Sequence, residues 1–184
     1  MILELKNTVQ KTVMTGVMAA VLAVLSQISI PLPSGVPITL QTFAVALGGY
    51  LLGPAFGSAA VGVYLILGAI GLPVFAGFSG GLGSFVGITG GFLWSFLPMA
   101  LLCGLGARSG KKAVSLALGL AGLAICHLAG CFQFSGVANA PFSAAFFAAS
   151  FPFLVKDVIS VALAYLASAA VAAALKKSWT GGTV

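Results

Sequence analysis

Apolar residues dominate the chain in six stretches, each separated from the next by glycine, proline or polar residues. A helix needs about 20 apolar residues to cross the hydrocarbon core of a bilayer. The chain of 184 residues therefore has room for six such helices joined by short loops. We predict an all-α membrane protein with a single transmembrane domain, residues 1–184. Its six predicted spans are 11–30, 38–52, 55–70, 89–106, 113–131 and 147–175.

The composition supports this assignment. Hydrophobic residues make up 60% of the chain, charged residues only 5%, and the mean hydropathy is +1.19. A soluble domain carries about a quarter of its residues as charged side chains to cover its surface. Most of the outer surface of this chain must therefore face lipid, which excludes a soluble globular domain.

The net charge of +6 has two possible meanings, nucleic-acid binding or the enrichment of cations in cytoplasmic loops. With the N-terminus inside and six crossings, the outer connections 31–37, 71–87 and 132–146 contain no cation. Seven of the eight cations fall on the cytoplasmic segments: Lys6, Lys11, Arg108, Lys111, Lys112, Lys176 and Lys177. The distribution predicts a multi-pass protein of the cell membrane with both termini in the cytoplasm. It argues against a nucleic-acid partner.

The eighth cation, Lys156, adjoins Asp157 inside the last predicted span, near its outer end. A charge at membrane depth is costly and indicates a functional site. Neighbouring residues on a helix point about 100° apart, so the two charges should point in two directions, towards a shared cavity rim or towards separate partners. Asp157 shares a helix face with Ser160, Ala164 and Ser168, so it should face the bundle interior. It could accept N–H donors from a ligand or bond a neighbouring helix. Lys156 could pair with a ligand carboxylate or extend towards the headgroups.

Other polar and aromatic residues are expected near the outer mouth of the bundle. They could bind a ligand, but turn formation, helix capping and packing are alternative roles. The further candidates for ligand binding are Thr39, Gln41, Tyr64, Phe75, Ser79 and Gly80.

The sequence offers little support for catalysis or metal binding. His127 lies beside Cys126 and four residues before Cys131, but two ligands on one face make a weak metal site. A histidine bonded within the bundle is the favoured interpretation. No P-loop, HExxH motif or Ser/His/Asp motif is recognisable in the chain. We therefore expect no enzyme activity, no metal and no cofactor.

Small residues recur on the first span, where Gly16, Ala20 and Ala23 form a stripe with Ala19 alongside. Such stripes let helix backbones approach closely in lipid. The stripe could pack within the bundle or serve as a docking face for another membrane subunit.

Several segments of the sequence resemble the biotin-specific substrate-binding subunit (BioY) of energy-coupling-factor (ECF) transporters. The resemblance follows the chain in order and covers nearly all of it. Its blocks are IPLPSGVPITLQTFA (30–44), GYLLGP (49–54), YLILGAIGLPVFAG (64–77), TGGFL (89–93), HLAG (127–130) and PFLVKD (152–157).

The resemblance implies a six-helix bundle of the ECF S-component type that captures biotin beneath its outer loops. The family works with a transmembrane coupling subunit and two ABC-type ATPases. By resemblance, Asp157 matches the aspartate that binds the ureido group, and Ala19 and Ala23 match the stripe that meets the coupling subunit. Ser160 stands where the family usually has a lysine, and the outer connection lacks an arginine. A subunit for another vitamin and a structural membrane subunit are the alternatives.

Overall fold

A computed structural model describes the backbone of residues 7–180 and the side chains of residues 7–177. The described chain is mainly helical, with seven α-helices and one short hairpin among residues 7–180. The helices are α1 Thr8–Gln27, α2 Gln41–Ala69, α3 Gly83–Val86, α4 Gly90–Arg108, α5 Lys112–Ala138, α6 Phe142–Ala149 and α7 Leu154–Thr180. The antiparallel strands are β1 Ser29–Ile30 and β2 Ile38–Thr39, and 3-10 turns lie at Ala76–Phe78 and Phe151–Phe153.

Helix α2 doubles back on itself at Gly53 and Pro54. Gly53 has φ 79° and ψ −179°, a conformation that glycine adopts without steric cost, and Pro54 follows it. The Gln41 Nε2 atom lies 2.8 Å from the Tyr64 hydroxyl, whereas a straight helix would separate these residues by about 34 Å. Five helical segments of the described chain are long and apolar enough to cross a membrane, with α2 counted once. Its two arms bring the bundle to six helical passes.

The last predicted span, 147–175, differs from the structure at its outer end. Helix α5 continues to Ala138, and the short helix α6 occupies part of the predicted outer connection. The chain then breaks at Ser150 and a 3-10 turn that contains Pro152 before α7 begins at Leu154. Proline lacks the N–H that would continue the helix. As a result Asp157 lies in the first turn of α7, where the helix dipole stabilises a carboxylate.

The two ends of the bundle differ in charge. At one end, the start of α1 meets the bend of α2, and the Lys11 ammonium lies 5.7 Å from the centre of the Phe56 ring. Phe56 and Leu175 border the same apolar cluster, which places the end of α7 there as well. Gly104 of α4 packs against Gly53 and Pro54, so the α4–α5 turn lies at this end too. The exposed cations Arg108, Lys111, Lys112, Lys176 and Lys177 are located on these turns and helix ends.

The interior is closely packed where small residues let backbones touch. A Cβ atom on Gly49 would lie 2.7 Å from Cys103 Cβ, so only glycine fits between α2 and α4. Nearby, the buried Tyr50 hydroxyl donates to the Ser115 carbonyl at 3.0 Å and links α2 to α5. Close backbone approach of this kind is typical of membrane helix bundles.

The two predicted small-residue stripes lie differently. On α7, Ser160, Ala164 and Ser168 are buried, as expected for an inward face. On α1, Ala19 is 3% exposed and belongs to the central core, and Ala23 packs against that core. Gly16 and Ala20 are the exposed members of this stripe. Ala19 is therefore not accessible to a partner in this conformation, and the docking prediction needs revision at that position.

Candidate ligand-binding site

A cavity of about 480 Å³ lies at the end of the bundle opposite the cation-rich turns. This size falls within the range of about 300–1,000 Å³ that is usual for small-molecule sites. Its apolar wall comes from the connection 71–87, α4 and the 3-10 turn before α7, through Phe75, Phe92, Leu93, Phe96 and Phe153. Its polar side comes from β2, the start of α2 and the start of α7, through Thr39, Gln41, Thr42, Lys156 and Asp157.

Asp157 is the centre of the polar side and is only 3% exposed. Its Oδ1 atom accepts a hydrogen bond from the Thr42 hydroxyl at 2.5 Å and forms an ion pair with the Lys156 ammonium. Lys156 Nζ also donates to the Thr39 carbonyl at 2.8 Å and to Thr42 Oγ1 at 3.3 Å. A buried charge needs such partners. Here they come from the segment 39–42 and from α7 itself.

Of the two outcomes left open for Lys156 and Asp157, a shared cavity rim and separate partners, the structure shows the shared rim. Their helix positions do point in different directions, but the long flexible stem of the lysine bends back and brings Nζ to the carboxylate. The Lys156 side chain is 28% exposed, whereas that of Asp157 is 5% exposed. The two charges therefore act at one place on the cavity wall.

A second branch of the polar network stabilises the start of α2. The Thr39 hydroxyl donates to Gln41 Oε1 at 2.8 Å, and Gln41 Nε2 donates to the Tyr64 hydroxyl at 2.8 Å. Thr39 and Gln41 line the cavity, but Tyr64 is fully buried and does not. Tyr64 thus supports the wall from behind, unlike the ligand contact that the sequence suggested.

The connection 71–87 contributes the other predicted residues. Phe75 and Ser79 line the cavity, while Gly80 does not. Gly80 instead packs against the Leu72 carbonyl, where a side chain would collide. Gln27 of α1 holds this segment in place: its Nε2 donates to the Phe75 carbonyl at 3.1 Å and its Oε1 accepts from the Phe78 N–H at 2.9 Å.

Two partners of the site, His127 and Ser150, were not among the predicted site residues. His127 Nε2 lies 3.4 Å from Asp157 Oδ2, and His127 Nδ1 lies 2.9 Å from the Ser150 hydroxyl. His127 could have been predicted as a partner from the sequence, because a histidine at membrane depth needs a polar partner. Asp157 is the only acidic residue besides Glu4, so few partners existed.

Ser150, His127 and Asp157 form a row of the residue types found in hydrolases. Ser150, however, is fully buried, and neither Ser150 nor His127 lines the cavity. A nucleophile must reach its substrate, so this row cannot attack a molecule bound in the cavity. Among the described residues, no group of three or more His, Cys, Asp or Glu side chains is placed to hold a metal ion. The arrangement is suited to binding a molecule that has hydrogen-bond donors at one end and an apolar body.

Known proteins resemble this chain in sequence and in structure. The model of the BioY family matches residues 3–177. The biotin transporter BioY of Thermotoga maritima is 45% identical over 124 residues, which cover 67% of this chain and 73% of the relative. The probable biotin transporter BioY of Pyrococcus horikoshii is 38% identical over 153 residues, which cover 83% and 90% of the two chains.

The fold is also similar to a crystal structure of the S-component for biotin from an ECF-type ABC transporter. The two superpose with a TM-score of 0.81 at 28% identity, over 94% of this chain and 95% of the other. The prediction of a helical membrane bundle of the S-component type is confirmed by this match. The resemblance stated from the sequence motifs is confirmed as well, because the matched region spans almost the entire chain. This multi-pass membrane protein belongs to the BioY family.

Proposed function

We propose that this chain is the membrane subunit that captures biotin for uptake. The observation that carries the proposal is the cavity in which the Lys156–Asp157 pair lies at one end of an apolar wall. The relatives named above are biotin transporters, and the structural neighbour is a biotin S-component. A subunit for another vitamin and a structural subunit were left open by the sequence, and neither is favoured by these relatives.

Biotin has a rigid ureido ring with two N–H donors and one carbonyl acceptor, a thioether ring and a carboxylate on an aliphatic chain. Asp157 is suited to accept the ureido N–H groups, and the rings of Phe75, Phe92 and Phe153 can cover the apolar body. Thr39 and Gln41 complete the polar side beside this pair. A small number of polar groups in a mostly apolar pocket is typical of sites that orient one ligand.

The position of Lys156 favours a role at the ureido end. Because its ammonium contacts Asp157, the two charges face the same end of any bound ligand. The carboxylate of an extended biotin would lie at the other end. Ser79, Ser84 and Thr89 also line the cavity. The Ser79 and Ser84 hydroxyls donate to the Ala76 and Gly80 carbonyls and would exchange these bonds to donate to the carboxylate.

The cavity end is proposed to face outwards and the cation-rich end the cytoplasm. The cluster of Arg108, Lys111 and Lys112 at the opposite end supports this orientation, since cations favour cytoplasmic loops. Uptake would then require a transmembrane coupling subunit and two ABC-type ATPases. Gly16 and Ala20 are the small residues on the exposed face of α1, so this face rather than Ala19 is proposed to contact the coupling subunit.

The test is biotin binding to the full chain purified in detergent, with mass spectrometry of any co-purified molecule. We expect the parent protein to bind biotin and not riboflavin or thiamine. Asp157→Asn should weaken binding by about 10- to 100-fold, because a hydrogen bond to a charged group contributes about 1.5–3 kcal/mol. Ser168→Ala is the matched control, since its buried hydroxyl bonds only within α7, to the Tyr165 carbonyl. Equal affinity of Asp157→Asn and the parent would remove Asp157 from the site, and preference for another vitamin would refute the proposal.

A further inference from the structure

Ser150 and His127 do not line the cavity, yet the row that they form ends on the Asp157 carboxylate at the centre of the site. His127 is 7% exposed, and its Nε2 atom has no hydrogen-bond partner within the described part of the chain. The nearest acceptor is Asp157 Oδ2 at 3.4 Å. We propose that His127, held by Ser150, is a positioning residue that fixes the Asp157 carboxylate for ligand binding. This inference rests on the proposed capture of biotin.

The hydrogen bond on one ring nitrogen determines what the other nitrogen presents. If the Ser150 hydroxyl donates to Nδ1, the proton of the neutral imidazole is on Nε2 and points towards the carboxylate. If Nδ1 carried the proton, the Nε2 lone pair would face a negative oxygen, which is unfavourable in a buried site. A serine hydroxyl can donate or accept, so the carboxylate selects the form of His127 with the proton on Nε2, and the Ser150 hydroxyl then donates to Nδ1.

The two carboxylate oxygens are held by different segments of the chain. A carboxylate offers about four acceptor positions. Thr42 and Lys156 occupy two of them on Oδ1, and His127 faces Oδ2. The remaining position on Oδ2 is then free for a ligand N–H. Without His127 the carboxylate would be held through Oδ1 alone, and the direction of Oδ2 would be less restricted.

The surroundings of His127 keep the ring rigid. Its ring meets the Phe92 ring edge-on with centroids 6.2 Å apart, and Phe92 is part of the cavity wall. Ser150 lies in the break between α6 and α7, where its own N–H donates to the Phe146 carbonyl at 3.0 Å. The break thus places a fixed hydroxyl behind the histidine, and α5 is connected to the start of α7 through the row.

The experiment compares His127→Leu, His127→Gln and Ser150→Ala in the full-length chain, with Ser168→Ala as control. Binding is measured by calorimetry for biotin and, by competition, for biotin methylated on a ureido nitrogen. His127→Leu should weaken biotin binding by about 10-fold, since an oriented carboxylate hydrogen bond is lost. His127→Gln, which keeps an N–H donor, should restore most of the affinity. Ser150→Ala should give an intermediate loss of about 3- to 10-fold.

The ratio of the two affinities separates positioning from a general loss of packing. If His127 acts through Asp157, His127→Leu lowers the preference for biotin over the methylated analogue, and His127→Gln retains it. A purely structural role would weaken both ligands equally and leave the ratio unchanged, which would overturn the inference. Ser150→Ala supplies the same readout if His127→Leu does not fold. A parent protein that binds no biotin would overturn the proposed function itself, whereas a binding parent with unchanged variants would overturn only this inference.

Discussion

Replacement of Lys156 by methionine tests whether the ion pair with Asp157 is part of the site. Methionine keeps most of the length of the side chain but removes the ammonium. The substitution would leave the Asp157 carboxylate, 3% exposed, with the Thr42 hydroxyl and the His127 ring as its partners. The alternative that the sequence left open, a lysine that extends to the headgroups, predicts no consequence for Asp157.

The size of the effect follows from the burial of the two charges. Removal of one partner of a fully buried ion pair costs about 3–5 kcal/mol, because the other charge remains uncompensated. Here the Lys156 side chain is 28% exposed, the Thr42 hydroxyl still donates to Asp157 and the His127 ring lies 3.4 Å away, so we expect about 1–3 kcal/mol. For a chain of this length that corresponds to a decrease in Tm of about 2–10 °C.

The assay is thermal unfolding in detergent, combined with biotin titration. Lys112→Met is the matched control, because Lys112 is exposed at the opposite end of the bundle. Lys156→Met should lower both the Tm and the biotin affinity, and the control should change neither. The double variant Lys156→Met/Asp157→Asn should unfold at a higher temperature than Lys156→Met alone, since no unpaired charge remains. A Lys156→Met protein with the stability and affinity of the parent would refute the reasoning.

Two further substitutions test the cover of the cavity and the packing of the bundle. Gln27→Leu removes the hydrogen bonds to the Phe75 carbonyl and the Phe78 N–H, so biotin should dissociate about 10-fold faster in a stopped-flow experiment. An unchanged dissociation rate would show that this segment does not retain the ligand. Gly104→Leu should prevent accumulation of monodisperse protein in size-exclusion chromatography, because its side chain would collide with Pro54. Gly62→Leu, where the structure leaves open space, should behave like the parent.

The helical class and the turn of α2 could be predicted from local sequence. Long apolar stretches have few alternatives to membrane helices, and the Gly53-Pro54 pair interrupts one of them in a recognisable way. The break before α7 was harder to predict, because Pro152 lies in a continuous apolar region and membrane helices tolerate proline. The predicted span therefore extended through Ser150, and the position of Asp157 in a first helical turn was missed.

The site itself depends on contacts that local sequence does not contain. Asp157 could be singled out because an isolated charge in an apolar stretch is costly. Its partners Thr42 and His127 come from α2 and α5, so they become visible only when the helices are packed. The outward or inward direction of Ala19 similarly depends on which neighbours α1 contacts, and a stripe of small residues gives no sign of this.

The polar network limits what a ligand can gain at the charged end of the cavity. The three N–H donors of Lys156 already have acceptors in Thr39, Thr42 and Asp157. A ligand that bonds to the Lys156 ammonium must therefore exchange one hydrogen bond for another, and the net gain of such an exchange is small. The polar end is thus suited to reject molecules that cannot replace the bonds they displace.

Affinity must then come mainly from the apolar wall. Burial of apolar surface contributes about 25 cal/mol per Å², without the cost of displacing internal hydrogen bonds. Phe75 belongs to this wall and also to the segment held by Gln27, so the same residue couples affinity to the position of the connection 71–87. On this argument, substitutions on the polar side should change which ligands bind, whereas loss of the Gln27 contacts should change how long any ligand stays.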